Sequence, residues 1–173
     1  MTVTIRDATG VDLGGIGAIH DALIRTTTID WRDEPYDAAE RAEWFAAKRA
    51  RGHPVVVAVD DRTGVVAGWG TWGDFRDSLV RPGYRFTAEH TIHVAEGHRG
   101  MGLADRLLYE LVARAEAAGK RVLVGAIDGD NLRSIRFHER HGFVVTGRLP
   151  GVGEKFGRRL DLVLVQRELH PAG

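Results

Sequence analysis

A stripe of apolar residues at helical spacing, Leu103, Leu107, Leu108, Leu111, Val112 and Ala115, lies between two strand-like runs, residues 86–94 and 122–127. No other feature limits the fold as much. The stripe marks a helix, and Gly119 closes it. Strand, helix and strand in that order favour parallel pairing through a crossover that lays the helix on one face of a sheet. The flanking pattern extends this unit on both sides. Residues 2–6 alternate as a short, edge-like strand, and residues 12–24 have apolar positions close to helical spacing. A second helix over residues 37–50 starts with Asp37 as cap and Glu40 as its reciprocal partner. Residues 54–59 and 65–72 form a hairpin across the turn 61–64. Residues 25–36 and 73–83 are loops. A further helix, residues 131–141, is closed by Gly142, and residues 143–146 and 160–166 supply two last strands. The sum is a mixed α/β (α+β) fold with about seven twisted strands, mostly antiparallel, and helices on both faces.

At 173 residues the chain suits a single domain over its whole length, 1–173, and should bury roughly 70% of its unfolded surface. Lys+Arg 24 against Asp+Glu 24 leaves no net charge, which argues against bulk attraction to nucleic acid or an anionic membrane. With Cys 0, disulfides, thiolate catalysis and Cys-ligated zinc are excluded. The start lacks the basic-then-apolar pattern of a signal peptide, and no apolar run approaches the roughly 20 residues of a membrane span. A cytoplasmic protein is expected.

Arg99-Gly100-Met101-Gly102-Leu103-Ala104 falls where a strand ends and the best helix begins. Small residues let the main chain turn tightly and let a ligand approach it. The N–H groups and dipole of the helix start favour a phosphate at that place. No Gly-Lys-Ser/Thr ending follows, so this is not a nucleoside triphosphate loop, and Asp105 stands where a dinucleotide fingerprint needs its third Gly. Ser78 and Ser134 are the two serines, and neither lies in Gly-x-Ser-x-Gly, so a serine hydrolase is not expected.

Arg99, Gly102 and Ala104 match the pattern Arg/Gln-x-x-Gly-x-Gly/Ala. Asn131, Ser134, His138, Glu139, Arg140, Gly142 and Phe143 match a second signature. With the element order, these resemble the GCN5-related N-acetyltransferase (GNAT) superfamily. The resemblance implies acetyl-CoA as co-substrate, with its pyrophosphate on the glycine turn. It places Ile92, His93, Val94, Arg99, Gly100, Met101, Gly102, Leu103, Ala104, Asn131 and Ser134 on that co-substrate. His138 stands where most members have Tyr, as in the phosphinothricin and methionine sulfoximine acetyltransferase branch. Tyr84, Thr87 and Glu89 resemble that branch's Tyr-x-x-Thr-x-Glu segment. Lys155-Phe156-Gly157-Arg158 with Asp161 resembles its C-terminal segment, and Thr28, Trp31, Arg32, Glu34 and Pro35 resemble its N-terminal loop. Departures are His93 for the usual Tyr, Arg159 for the usual Trp, and the spacing of Arg76 and Arg81. A homodimer is implied by the resemblance, with no metal.

Acetyl transfer to an amine needs a base for the ammonium, a donor for the oxyanion and a proton for the thiolate. Glu89 and His138 are the two catalytic candidates. A buried carboxylate, or one acting through water, suits the base role. A neutral imidazole near pH 7 suits either base or acid, and the two assignments stay open. A lone Glu can equally pair with Arg85, and a lone His can simply pack between helix and sheet. His138 and His141 lie three apart, but no further ligands mark a metal site. The N–H of Val94 or a neighbour is a candidate oxyanion donor, and Val94 should pair with the pantetheine arm as an added strand does. Asn131 suits pantetheine amides or capping of its own helix. Arg76, Arg81 and Arg85 offer guanidinium groups for a substrate carboxylate, and Trp31, Arg32, Tyr84 and Thr87 complete the expected acceptor site. The acceptor expected is the α-amine of a small amino acid or analogue. Alternatives are a polyamine, an aminoglycoside, a protein N-terminus, or a non-catalytic acyl-CoA sensor.

Overall fold

A computed structural model describes residues 2–171. Strands β1 (Val3–Asp7), β2 (Val55–Asp60), β3 (Val66–Asp74), β4 (Thr87–Val94), β5 (Val122–Asp128), β6 (Val144–Lys155) and β7 (Arg158–Glu168) alternate with α1 (Leu13–Thr26), α2 (Ala38–Ala50), α3 (Leu103–Ala117) and α4 (Leu132–Arg140). The sheet order is β1-β2-β3-β4-β5-β7-β6. Thr87–Glu89 run parallel to Val122–Val124, as the crossover predicts. The pairs β1–β2, β2–β3, β5–β7 and β6–β7 are antiparallel. The expected class and helix count therefore hold, and so does the cap of α2, where Asp37 and Glu40 each accept the other's backbone N–H.

The chain divides into two compact units. One comprises residues 1–22, 35–73 and 90–114, and the other residues 23–34, 74–89 and 115–173. In the first unit, alternation along β3 decides what packs on each face. An added Cβ at Gly68 would lie 3.2 Å from Leu107 Cδ1, and one at Gly70 would lie 3.0 Å from Leu111 Cδ1. These two glycines leave room for the apolar stripe of α3 to press against the strand. Trp69, between them, points to the other face and is 3% exposed. Its ring meets His20 of α1 at 5.5 Å and Trp44 of α2 at 5.8 Å. Helices thus cover both faces of β3, as predicted.

In the second unit β5 and β7 form the core ladder, with Leu123, Leu160, Val163 and Val165 at 0–1% exposure. Lys120, just past the C-terminus of α3, is buried, and its Nζ lies 2.7 Å from Asp74 Oδ1 and 2.8 Å from Arg85 O. One ammonium therefore ties both ends of the 74–85 loop. β6 runs much further than the short strand expected at residues 143–146. Gly147, Pro150, Gly151 and Gly153 read as breakers, yet the ladder with β7 continues past them. Its register shifts between Val145 and Gly147 and again between Leu149 and Gly153. Bulges of this kind are tolerated because β6 ends the sheet, where a proline's missing N–H costs no ladder bond.

The close approach of α3 to β3 leaves no room for a larger residue. Gly70→Val should overpack that contact and destabilise the chain by about 1–3 kcal/mol. The urea midpoint should fall at unchanged slope, and an unchanged midpoint would contradict the packing described.

Candidate active site

In the first unit, the end of β4 leads into the glycine turn. Ala95 N–H donates to Ala67 O at 2.9 Å, a single 3₁₀ turn spans Glu96–His98, and α3 starts at Leu103. Gly100 and Gly102 have φ of +78° and +71°, the left-handed region open to glycine. A Cβ at Gly100 would meet nothing within 4 Å, and one at Gly102 only Asp105 Oδ2 at 3.9 Å. The turn's main chain is therefore exposed, as a cradle for a ligand must be. The N–H groups of the first turn of α3 and the helix dipole add positive character, which the Asp105 carboxylate partly offsets. Arg99, Gly100, Met101 and Gly102 are exposed, Ala104 is half-buried, and Leu103 is buried. Leu103 anchors the helix start, so only its backbone can face a ligand.

Ile92 and Val94 are half-buried on β4, and His93 is buried. The His93 ring stacks on His20 at 5.5 Å and meets Trp69 edge-on at 5.1 Å. This residue, a departure from the branch pattern, fills an aromatic cluster, and its carbonyl faces Gly68 of β3, so neither its ring nor its carbonyl is turned toward a ligand as the resemblance implied. Among the described residues the parallel ladder from β4 to β5 ends at the pair Glu89–Val124, five residues before β4 itself ends at Val94.

In the second unit, Glu89 is exposed and Thr87 half-buried on β4. The burial invoked for Glu89 as a base is absent, and action through water is the route its position allows. Helix α4 joins three other predicted residues. Asn131 Oδ1 accepts the Ser134 N–H at 3.1 Å, the capping role weighed from sequence. His138 Nδ1 lies 2.8 Å from Ser134 O and 3.4 Å from Ser134 Oγ. A carbonyl can only accept, so Nδ1 carries the proton of the neutral ring and Nε2 the lone pair. His138 is 8% exposed, with Phe137 and Phe143 edge-on at 5.2 and 5.1 Å. Burial pushes its pKa below the usual 6.5, and His141 pushes the same way, against the Ser134 carbonyl. Near neutral pH this is an uncharged imidazole.

Apart from Thr87 on β4, the expected acceptor residues lie on two loops of the same unit. Arg76, Tyr84 and Arg85 are exposed on the 75–86 segment. There Arg76 has φ +55° and its guanidinium lies 5.4 Å from the Phe75 ring centre. Phe75 and Tyr84 meet edge-on at 5.7 Å, and Arg85 sits 4.3 Å over Phe86. Trp31 and Arg32 are half-buried on the 27–34 segment, where Trp31 Nε1 donates to Thr28 O at 3.0 Å. Sequence reasoning passed over the groups that hold these loops: Lys120, Lys155 and Asp128. The resemblance quoted Lys155 but gave no hint that its amine is buried, and Lys120 and Asp128 carry no pattern signal. Among the described residues, no group of three or more His, Asp or Glu could hold a metal ion, and no helix is long and apolar enough to cross a membrane.

Residues 16–143 match the acetyltransferase (GNAT) family. An L-methionine sulfoximine/L-methionine sulfone acetyltransferase of Pseudomonas paraeruginosa is 43% identical over 171 residues, 99% of this chain and 97% of that protein. The L-amino acid N-acyltransferase MnaT of Escherichia coli is 39% identical over 167 residues, 96% of this chain and 94% of that protein. A GNAT superfamily phosphinothricin acetyltransferase of Sinorhizobium meliloti, solved in complex with acetyl-CoA, superposes with a TM-score of 0.91 at 37% identity. That match covers 98% of this chain and 89% of the other.

The depressed pKa of His138 has a measurable sign. Between its folded value and 6.5 the unfolded chain holds more protons, so stability falls as pH drops through 6.5 and levels off below the folded value. NMR titration of the folded protein should give His138 a midpoint below 6.5, and His138→Gln should weaken the loss of stability between about pH 7 and 5. A midpoint above 6.5 would overturn the assignment.

Proposed function

Because the chain belongs to the acetyltransferase (GNAT) family and is an acetyl-CoA-dependent N-acetyltransferase, we propose that its acceptor is the α-amine of a small L-amino acid or analogue, of the methionine sulfoximine, methionine sulfone or phosphinothricin kind. The observation that carries this reading is similarity along nearly the full chain to enzymes named for those acceptors, at 39–43% identity. The phosphinothricin enzymes among the relatives support the same class of acceptor, an amine beside a carboxylate.

Acetyl-CoA supplies the acetyl group as a thioester. On our reading Arg99, the exposed turn at Gly100, Met101 and Gly102, and the N–H groups of Leu103 and Ala104 hold its pyrophosphate. On β4 the main chain of Ile92 and Val94 takes its pantetheine arm. The amine nitrogen bonds to the thioester carbon, the carbon–sulfur bond breaks, and the amine proton ends on the thiol. A neutral imidazole with its lone pair on Nε2 is built to accept a proton before it can give one. We therefore assign His138 as the group that receives the amine proton and can return it to the thiolate. Glu89, exposed at the end of the β4–β5 ladder, takes through water the extra proton that the ammonium must lose before it can attack. Trp31, Arg32, Arg76, Tyr84, Arg85 and Thr87 bind the acceptor, a guanidinium taking its carboxylate. Part of the reading is a cytoplasmic homodimer with the C-terminal segment or the 75–86 loop near the second copy.

Thiol release from acetyl-CoA with a panel of amino acids tests the acceptor class, with L-methionine sulfone expected among the best. Glu89→Gln and His138→Ala should each lower kcat by about 10²–10⁴-fold at little change in acetyl-CoA affinity. Near-normal kcat in both would remove them from the chemistry.

Gly102→Val tests the cradle. The substitution puts a β-branched side chain where φ is +71°, at a strain of about 1–3 kcal/mol in an exposed turn. The acetyl-CoA Kd should rise by about tenfold or more, with the apo protein still folded. An unchanged Kd would refute the placement.

A further inference from the structure

Three contacts outside the proposed chemistry converge on residues 27–34, the loop that carries Trp31 and Arg32. The first is made by Lys155, the last residue of β6. It is 2% exposed, and its Nζ donates to Ile24 O at 2.6 Å and to Asp30 O at 2.5 Å. The ammonium also lies 5.0 Å from the ring centre of Phe156. Ile24 belongs to the last turn of α1, where carbonyls lack helical partners and a cation is favoured by the dipole. Two carbonyls six residues apart, one before the loop and one within it, are thus drawn onto a single cation. The second contact is at Gly153, which shares Lys155's side of β6 by the two-residue period of a strand. A Cβ there would land on the Trp31 ring. The third is the hydrogen bond from the Thr28 hydroxyl to the carboxylate of Asp128, a buried residue at the end of β5.

Core filling alone does not account for a lysine at position 155. Burying an ammonium is costly, and an apolar residue of similar volume fills a core at least as well. What lysine adds is donation to both carbonyls at once. We propose that Lys155 is a positioning residue for acceptor binding. By clasping Ile24 and Asp30 it fixes the 27–34 loop, and with it the Trp31 and Arg32 side chains against which the amino acid docks. This rests on the reading of an amino-acid acceptor that meets that loop.

The test uses the full chain with Lys155→Met, the milder Lys155→Gln in case the first does not fold, and Gly153→Ala, which displaces Trp31 without touching the ammonium. Steady-state kinetics are run with L-methionine sulfone and acetyl-CoA, and amide hydrogen exchange is followed over residues 27–34. The expected result is an acceptor KM raised by about tenfold at little change in kcat, an acetyl-CoA KM within about twofold of the wild type, and faster exchange in the loop. Parallel rises in both KM values, or loop exchange unchanged in the Lys155 variants, would overturn the proposal. If the wild type transfers to no amino acid, the acceptor reading fails instead. Loop exchange then still decides whether Lys155 sets the loop, and unchanged exchange again overturns it.

Discussion

The contact on which the first unit depends is the one between α3 and β3. Leu107 and Leu111 reach the strand only because Gly68 and Gly70 carry no side chains. Leu103, Leu107, Leu108 and Leu111 are all at 0–3% exposure, so the helix is held along its whole apolar stripe. Rigid seating of the stripe fixes the helix start, and the helix start fixes the glycine turn before it. An exposed turn of small residues would otherwise be a mobile surface loop. Here its left-handed residues are held between the end of β4 and a buried Leu103.

The two candidate proton-transfer groups of the second unit sit in different environments. His138 sits among Phe137 and Phe143, where burial disfavours charge, while Glu89 is exposed where the ladder ends. The Ser134 carbonyl does two things at once. It orients the imidazole, and by taking Nδ1–H it decides which nitrogen carries the lone pair. Helix α4 therefore sets the tautomer of the residue it carries, and Asn131 sets the helix through its cap.

Much of this was legible in the sequence because it rests on local pattern. The stripe of α3, the Asp37–Glu40 box and the parallel crossover follow from periodicity and capping chemistry. So does the cap at Asn131. The extent of β6 was not legible, because Gly147, Pro150 and Gly151 signal a break locally and only their place at the edge of the sheet makes them tolerable. Burial was the other blind spot. Glu89 and His138 are both polar residues beside apolar neighbours in sequence, yet one is exposed and the other enclosed. Lys120 and Lys155 look like surface lysines until long-range contacts put backbone carbonyls around their amines. Such contacts span 35 to 131 residues of chain, beyond the reach of any window.

The irregular outer strand has a bearing on how the chain can meet other protein. Val144, Val145, Leu149 and Val152 are exposed along β6, at 40–59%, and a straight edge with that composition would be a template for another strand. Two breaks in register and a proline interrupt the row of backbone donors and acceptors. No long run of main-chain groups is left in phase for an incoming strand to zip onto. Whatever associates with this edge must recognise it by the shape of its side chains rather than by copying the strand.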